Sequence, residues 1–164
     1  MTTAVFPGSF DPPTYGHLNI IERACRLFDS VDVVVAVNPC KQYLFSAEER
    51  RDMLRSLTDL WQNVSVHLCS GLIVDYARDL GASVLLRGIR NMNDFAYEFD
   101  LSLMNRSLNP AMETLFLPTE QRFVTIKSSA IKELASFGGD ISSMVPPVVA
   151  EAMHATYRTE SGAE

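Results

Sequence analysis

The chain has 164 residues, 47% of them hydrophobic and 21% charged, with a formal net charge of −6. That length carries one proper core, and the acidic balance argues against a general nucleic-acid binder, which needs a basic face. No apolar run approaches the roughly 20 residues of a membrane span, and the first residues lack the basic and long apolar segments of a secretory signal, so a cytoplasmic protein away from membranes is expected.

The first apolar run, residues 4–6, breaks into PGSFDPPTYGH at 7–17, and residues 18–28 then place Leu18, Ile21, Ala24 or Cys25, and Phe28 on one helical face. Residues 31–37, VDVVVAV, form a nearly continuous β-branched run that suits a strand covered on both faces. After Asn38, Pro39, Cys40 and Lys41, the Ser46 and Glu49 capping box opens a helix to about Thr58, with Met53, Leu57 and Leu60 as core contacts. Residues 64–68 predict a short strand, 72–80 a helix stopped by Gly81, and 83–86 a strand ending at Arg87, Gly88, Ile89 and Arg90.

Residues 94–108 predict a long helix ended by Asn109 and Pro110, on which Leu101, Leu103, Met104 and Leu108 read as core or partner contacts. A strand at 113–117 and a loop at 119–127 follow. Ser128 and Ser129 then begin a helix to about Phe137, closed by Gly138 and Gly139. The last helix starts near Pro147, and the tail after Tyr157 is expected to fray. Strands alternating with helices predict one doubly wound α/β domain over residues 1–164, with a five-stranded parallel sheet. Ligands of such domains bind beyond the carboxyl ends of the strands, where strand order reverses.

The predicted strand ends collect chemistry. Ser9, Phe10, His17, Lys41, Leu72, Ile73, Arg87, Arg90, Ser128 and Ser129 all fall there. Basic groups, hydroxyls and helix N-termini on one edge of an acidic protein point to an anionic, phosphate-bearing ligand. A histidine at a helix start commonly only caps it, but Gly16 beside His17 lets a ligand approach the backbone, and an imidazole there can donate to an oxyanion. There is no G-x-x-x-x-G-K-[ST], G-x-G-x-x-G or G-x-S-x-G, which disfavours a P-loop kinase, a dinucleotide dehydrogenase and a serine hydrolase. Cys25, Cys40 and Cys69 form no C-x-x-C pair and read as reduced structural thiols.

Thr14 to His17 resembles the T/H-x-G-H signature of the nucleotidyltransferase superfamily. PGSFDPPTYGH, NPCKQYLFSAEER at 38–50, RGIRNMNDFAYE at 87–98, LMNR at 103–106 and IKSSAIKELA at 126–135 together resemble the bacterial phosphopantetheine adenylyltransferases. The resemblance implies a Rossmann-like domain that moves AMP from ATP to 4'-phosphopantetheine. It implies His17 as the catalytic group steadying the α-phosphate, and an ATP site of Ser9, Phe10, His17, Gly88, Ile89, Arg90, Glu98, Phe123, Val124, Thr125, Ile126, Lys127, Ser128 and Ser129. The phosphopantetheine would meet Ser9, Lys41, Ile73 and Arg87, with Leu72, Asn105 and Glu133 as further candidates.

The resemblance further implies magnesium carried on the ATP phosphates with no protein metal cage, and a homo-oligomer, hexameric in relatives. Lys127 stands where that family usually has a serine, leaving open whether its cation meets phosphate or solvent, and Gln42 and Tyr43 depart from some relatives' lysine and proline. Two alternatives share these residues: a small nucleotidyltransferase with another phosphate acceptor, and a catalytically silent nucleotide-binding module.

Overall fold

The computed structural model describes residues 2–161. Its strands are β1 (Thr3–Gly8), β2 (Ser30–Ala36), β3 (Val64–Cys69), β4 (Val84–Ile89) and β5 (Glu113–Pro118); its helices are α1 (Tyr15–Leu27), α2 (Ala47–Thr58), α3 (Ile73–Leu80), α4 (Met92–Leu108), α5 (Ser128–Ser136) and α6 (Pro147–Ser161). All strand pairs are parallel, in the order β3-β2-β1-β4-β5, so the doubly wound five-stranded sheet is present. The chain steps outward from β1 to β2 to β3, then crosses back to β4 on the far side of β1. Strand order therefore reverses between β1 and β4.

Alternation along the strands sorts the core onto two faces. Phe6, Val33, Val35 and Leu86 meet Ile20, Ile21, Ala24 and Leu54 of α1 and α2 on one, and Val5, Val34 and Leu85 meet Val74 and Ala77 of α3 on the other. Burying each such aliphatic side chain contributes about 1.5–3 kcal/mol before entropy is counted. A third cluster, with Phe45, Ile131, Ile141, Val149 and Met153, seals α5 and α6 against the chain entering α2.

The differences from the sequence reading have physical causes. β1 runs on through Pro7 and Gly8, which pair with Val34 and Val35 of β2. A proline is expected only at strand edges; here Pro7 turns toward β4, where the ladder stops at Ala4 with Val84 and Val5 with Leu85. The missing N–H has no ladder to break, and the free Pro7 carbonyl accepts from Arg87 NH1 at 2.8 Å. β4 likewise continues to Ile89 along β5.

On α2 the buried residues are Arg50, Leu54 and Thr58, while Met53 and Leu57 pack partly on the third cluster and Leu60 lies outside the helix, 92% exposed. No α4 residue is buried, and Leu103, Met104 and Leu108 face outward with Tyr97, Phe99 and the β5 residue Leu115. α6 holds helical form to Ser161, beyond the expected fraying point at Tyr157; residues 162–164 lie outside the described residues.

Candidate active site

Because β1 follows β2 for six residue pairs but β4 for only two, the sheet forks at the carboxyl ends of β1 and β4. A cavity of about 360 Å³ opens in that fork, at the reversal of strand order. Of the sequence-predicted residues, it brings together Phe10 of the first loop, His17 of α1, Arg87 and Gly88 of β4 and Arg90 just past it, Phe123, Ile126 and Lys127 of the chain entering α5, and Ser128 and Ser129 of its first turn. Phe6, Pro7, Gly8, Thr14, Gly16, Ile20 and Thr119 also line it. Thr119 stands one residue past β5, and its position at a strand end is the signal that would have found it.

Thr14 caps α1 in a capping box closed by His17 in place of the usual glutamate. The Thr14 N–H donates to His17 Nδ1 at 3.1 Å, so Nδ1 is an acceptor and the ring proton sits on Nε2. Burial first, and the nearby Arg90 charge second, lower the His17 pKa to about 4. The imidazole is therefore a neutral hydrogen-bond donor from mildly acidic pH upward, with Phe10 edge-on at 5.0 Å between centroids. Phe10 holds φ 48°, a left-handed backbone unusual for a large residue, and its buried ring leaves no room at Gly8, where a Cβ would lie 2.9 Å from Cζ.

The cations are oriented by carboxylates. Glu98 of α4 forms a two-armed ion pair with Arg87, donated from Nε and NH2, which aims the guanidinium at Pro7. Arg90 donates from Nε to Asp94 at 2.8 Å and from NH1 to the Ile126 carbonyl at 3.2 Å. Burial pushes the Asp94 carboxyl upward, but Arg90's hydrogen bond and charge outweigh it and hold the pKa below the usual range. At α5 the N-cap residue Lys127 makes no side-chain cap, so the first-turn amides at Ser128 and Ser129 remain donors at the cavity rim.

The remaining predicted residues are not cavity-lining. Ser9 turns its carbonyl to Arg50 NH1 at 2.6 Å, and Ile89 and Glu98 sit behind the lining, Glu98 engaged with Arg87. Val124 and Thr125 follow the 3-10 turn Gln121–Phe123. Lys41 is exposed in the loop after β2, and Ile73 begins α3 and packs partly on the second core face. Leu72 precedes α3, Asn105 lies on α4 and Glu133 on α5. Among the described residues no group of three or more His, Cys, Asp or Glu side chains is placed to hold a metal ion. The three cysteines are free, and no described helix is long and apolar enough to cross a membrane.

A neutral imidazole donor, two fixed guanidinium groups and an open helix N-terminus around one cleft define a site for transferring or holding a phosphate chain. The cytidylyltransferase-like family model matches residues 5–134. The chain is 47% identical to a phosphopantetheine adenylyltransferase of Caldanaerobacter subterraneus subsp. tengcongensis, over 92% of this chain and 94% of that one. It is 51% identical to the phosphopantetheine adenylyltransferase of Desulfosudis oleivorans, over 91% and 89%. A Vibrio parahaemolyticus structure provisionally assigned as a nicotinate-nucleotide adenylyltransferase shares the fold at a TM-score of 0.73 and 19% identity, covering 96% of each chain. The chain thus belongs to the cytidylyltransferase-like nucleotidyltransferases, and within them to the phosphopantetheine adenylyltransferase family.

Proposed function

We propose that the protein transfers AMP from ATP to 4'-phosphopantetheine, giving dephospho-coenzyme A and pyrophosphate. The observation that carries the reaction class is His17, a neutral Nε2–H donor on the same cavity as Arg87, Arg90 and the first turn of α5. The acceptor follows the relatives, which are 47–51% identical over about nine-tenths of the chain.

In the transfer, an acceptor phosphate oxygen attacks the α-phosphorus of ATP, the α–β phosphoanhydride bond breaks, and its electron pair leaves on pyrophosphate. A phosphomonoester with a second pKa of about 6 is already mostly dianionic near neutrality, so no general base is needed. His17 Nε2 donates to the charge gathering on the α-phosphate, Arg90 and the α5 amides hold the β- and γ-phosphates, and Lys41 and Arg87 draw in the acceptor phosphate. Phe123, Val124, Thr125, Ile126 and Lys127, with Gly88, Ile89 and Glu98, complete the nucleotide side, and Ser9 and Ile73 the acceptor side.

The donor set fits a metal carried by the substrate. Arginines, hydroxyls and amides face the cavity, and Asp94 and Glu98 are engaged by Arg90 and Arg87. Magnesium would sit on the ATP phosphates, neutralising the leaving pyrophosphate. The outward apolar side chains of α4 and Leu115 support self-assembly, hexameric by family resemblance, in the cytoplasm.

Pyrophosphate release from ATP, measured across phosphopantetheine, nicotinate mononucleotide and simple alcohol phosphates, tests the proposal. Turnover with phosphopantetheine alone is expected. Release only with another acceptor assigns the chain to a different transferase, and release with none makes it a nucleotide-binding module.

A further inference from the structure

The loop between β1 and α1 contains a charged group that the transfer steps leave unused. Asp11 is 4% exposed. Its oxygens accept from the Leu44 N–H at 2.9 Å, the Phe45 N–H at 3.0 Å and Lys132 Nζ at 3.0 Å. Three pieces of chain meet on this one carboxylate: the first strand-end loop, the end of the loop that carries Lys41, and α5.

Burying a carboxylate is costly unless its lone pairs are filled, and a buried ion pair adds little net stability over a packed apolar substitute. What Asp11 does supply is direction. A group that only accepts, with both oxygens engaged, fixes where each donor must lie. Lys132 is four residues beyond Ser128 and so shares its helix face, which ties the first turn of α5 to Asp11. The neighbours of Asp11 repeat the pattern, since Ser128 Oγ donates to the Pro12 carbonyl at 3.1 Å and Arg50 NH1 to the Ser9 carbonyl at 2.6 Å. Arg50 also lies over the Tyr43 ring at 3.9 Å.

We propose that Asp11 is a positioning residue that holds the Lys41 loop and the phosphate-facing turn of α5 in register, and so sets the distance between acceptor and nucleotide. This rests on the reading of the site as AMP transfer to phosphopantetheine. In-line displacement is sensitive to such spacing, because a misplacement of about 1 Å can cost about 10²-fold in rate.

Asp11→Asn keeps the size and one acceptor oxygen but removes the charge. In the full chain it is expected to lower kcat about 10²-fold and raise the phosphopantetheine KM about tenfold, with the cooperative melt retained. Lys132→Met is expected to raise the ATP KM about fivefold and the phosphopantetheine KM by a smaller factor, about threefold, and Lys132→Arg to restore both. Hydrogen exchange at the Leu44 and Phe45 amides should quicken in Lys132→Met, although Lys132 bonds to neither. A folded Asp11→Asn protein with kcat and both KM values within about twofold of the parent overturns the proposal, as does activity that falls only with the folded fraction. A parent chain inactive with phosphopantetheine marks failure of the functional reading instead. The exchange measurement then decides alone, faster amides supporting the coupling and unchanged amides overturning it.

Discussion

The two ends of the site are built differently. The nucleotide end of the proposed site is fixed from behind: His17 is tied to Thr14, Phe10 is wedged between Phe6 and His17, and Arg90 is aimed by Asp94. The proposed acceptor end joins Arg87, aimed by Glu98, to an exposed loop that carries Lys41. Asn38 accepts from the Cys40 N–H and the Lys41 N–H, Tyr43 OH accepts from the Asn38 N–H, and the loop is tied to the interior by the Tyr43 ring under Arg50 and by the Leu44 and Phe45 amides on Asp11. The contrast teaches where each substrate's cost is met. On the proposed reading, ATP would meet donors already oriented, whereas an acceptor held by Lys41 would have to order an exposed side chain as it binds, which costs affinity.

His17→Ala removes the donor aimed at the transferring phosphate, and kcat is expected to fall about 10² to 10³-fold while thermal melting shows an intact fold. Pyrophosphate release and a melting curve on one preparation check both halves. Gly8→Ala attacks the fixed end through packing. A Cβ there meets the Phe10 ring at 2.9 Å, so the ring and the His17 beside it must shift. The expected cost is about 1–3 kcal/mol in urea unfolding, with a fall in kcat that Gly71→Ala, where a Cβ meets nothing within 4 Å, does not share.

Lys41→Ala strikes the exposed, acceptor side of the proposed site. The phosphopantetheine KM should rise about tenfold, as for loss of one charged hydrogen bond, with the ATP KM unchanged. An effect on ATP alone would move Lys41 to the other end.

Acidity sharpens the contrast with the smallest effect. His17 is held near pKa 4 by burial and Arg90, below its unfolded value of about 6.5, so between those values the unfolded chain binds the extra proton. Stability therefore falls as pH drops from about 6.5 toward 4 and has no further His17 contribution below. Turnover should fall along an acid limb near pH 6, where the acceptor phosphate takes a proton. Rates over pH 4.5–8 check this; a limb that tracks a phosphonate acceptor of different pKa supports it, and a limb insensitive to the acceptor assigns the proton to the protein.

Much of this was legible in the chain. The β-branched run at β2, the Ser46 and Glu49 box and the glycine at 81 placed their elements because each signal is local. PGSFDPPTYGH pointed to the phosphate end for the same reason. What escaped depends on partners distant in sequence. Pro7 looks like a strand breaker until β4 is seen to diverge from it, and Asp11 looks like a turn residue until Lys132, 121 positions away, reaches it. Arg50 stands among charged neighbours, Glu49 and Arg51, yet it is 1% exposed and bonded to the Ser9 carbonyl. Glu98, expected at the nucleotide, is also paired with Arg87, a partnership that a helix-face carboxylate does not disclose in sequence alone.

The proposed transfer works by position and charge, with the acceptor itself as nucleophile. Mixing the protein with ATP alone and then adding 4'-phosphopantetheine, while following pyrophosphate and protein mass, tests it most directly. No pyrophosphate and no mass change are expected before the acceptor is added, and one pyrophosphate per dephospho-coenzyme A afterward. A burst of pyrophosphate with ATP alone, or a protein heavier by one AMP, would contradict it.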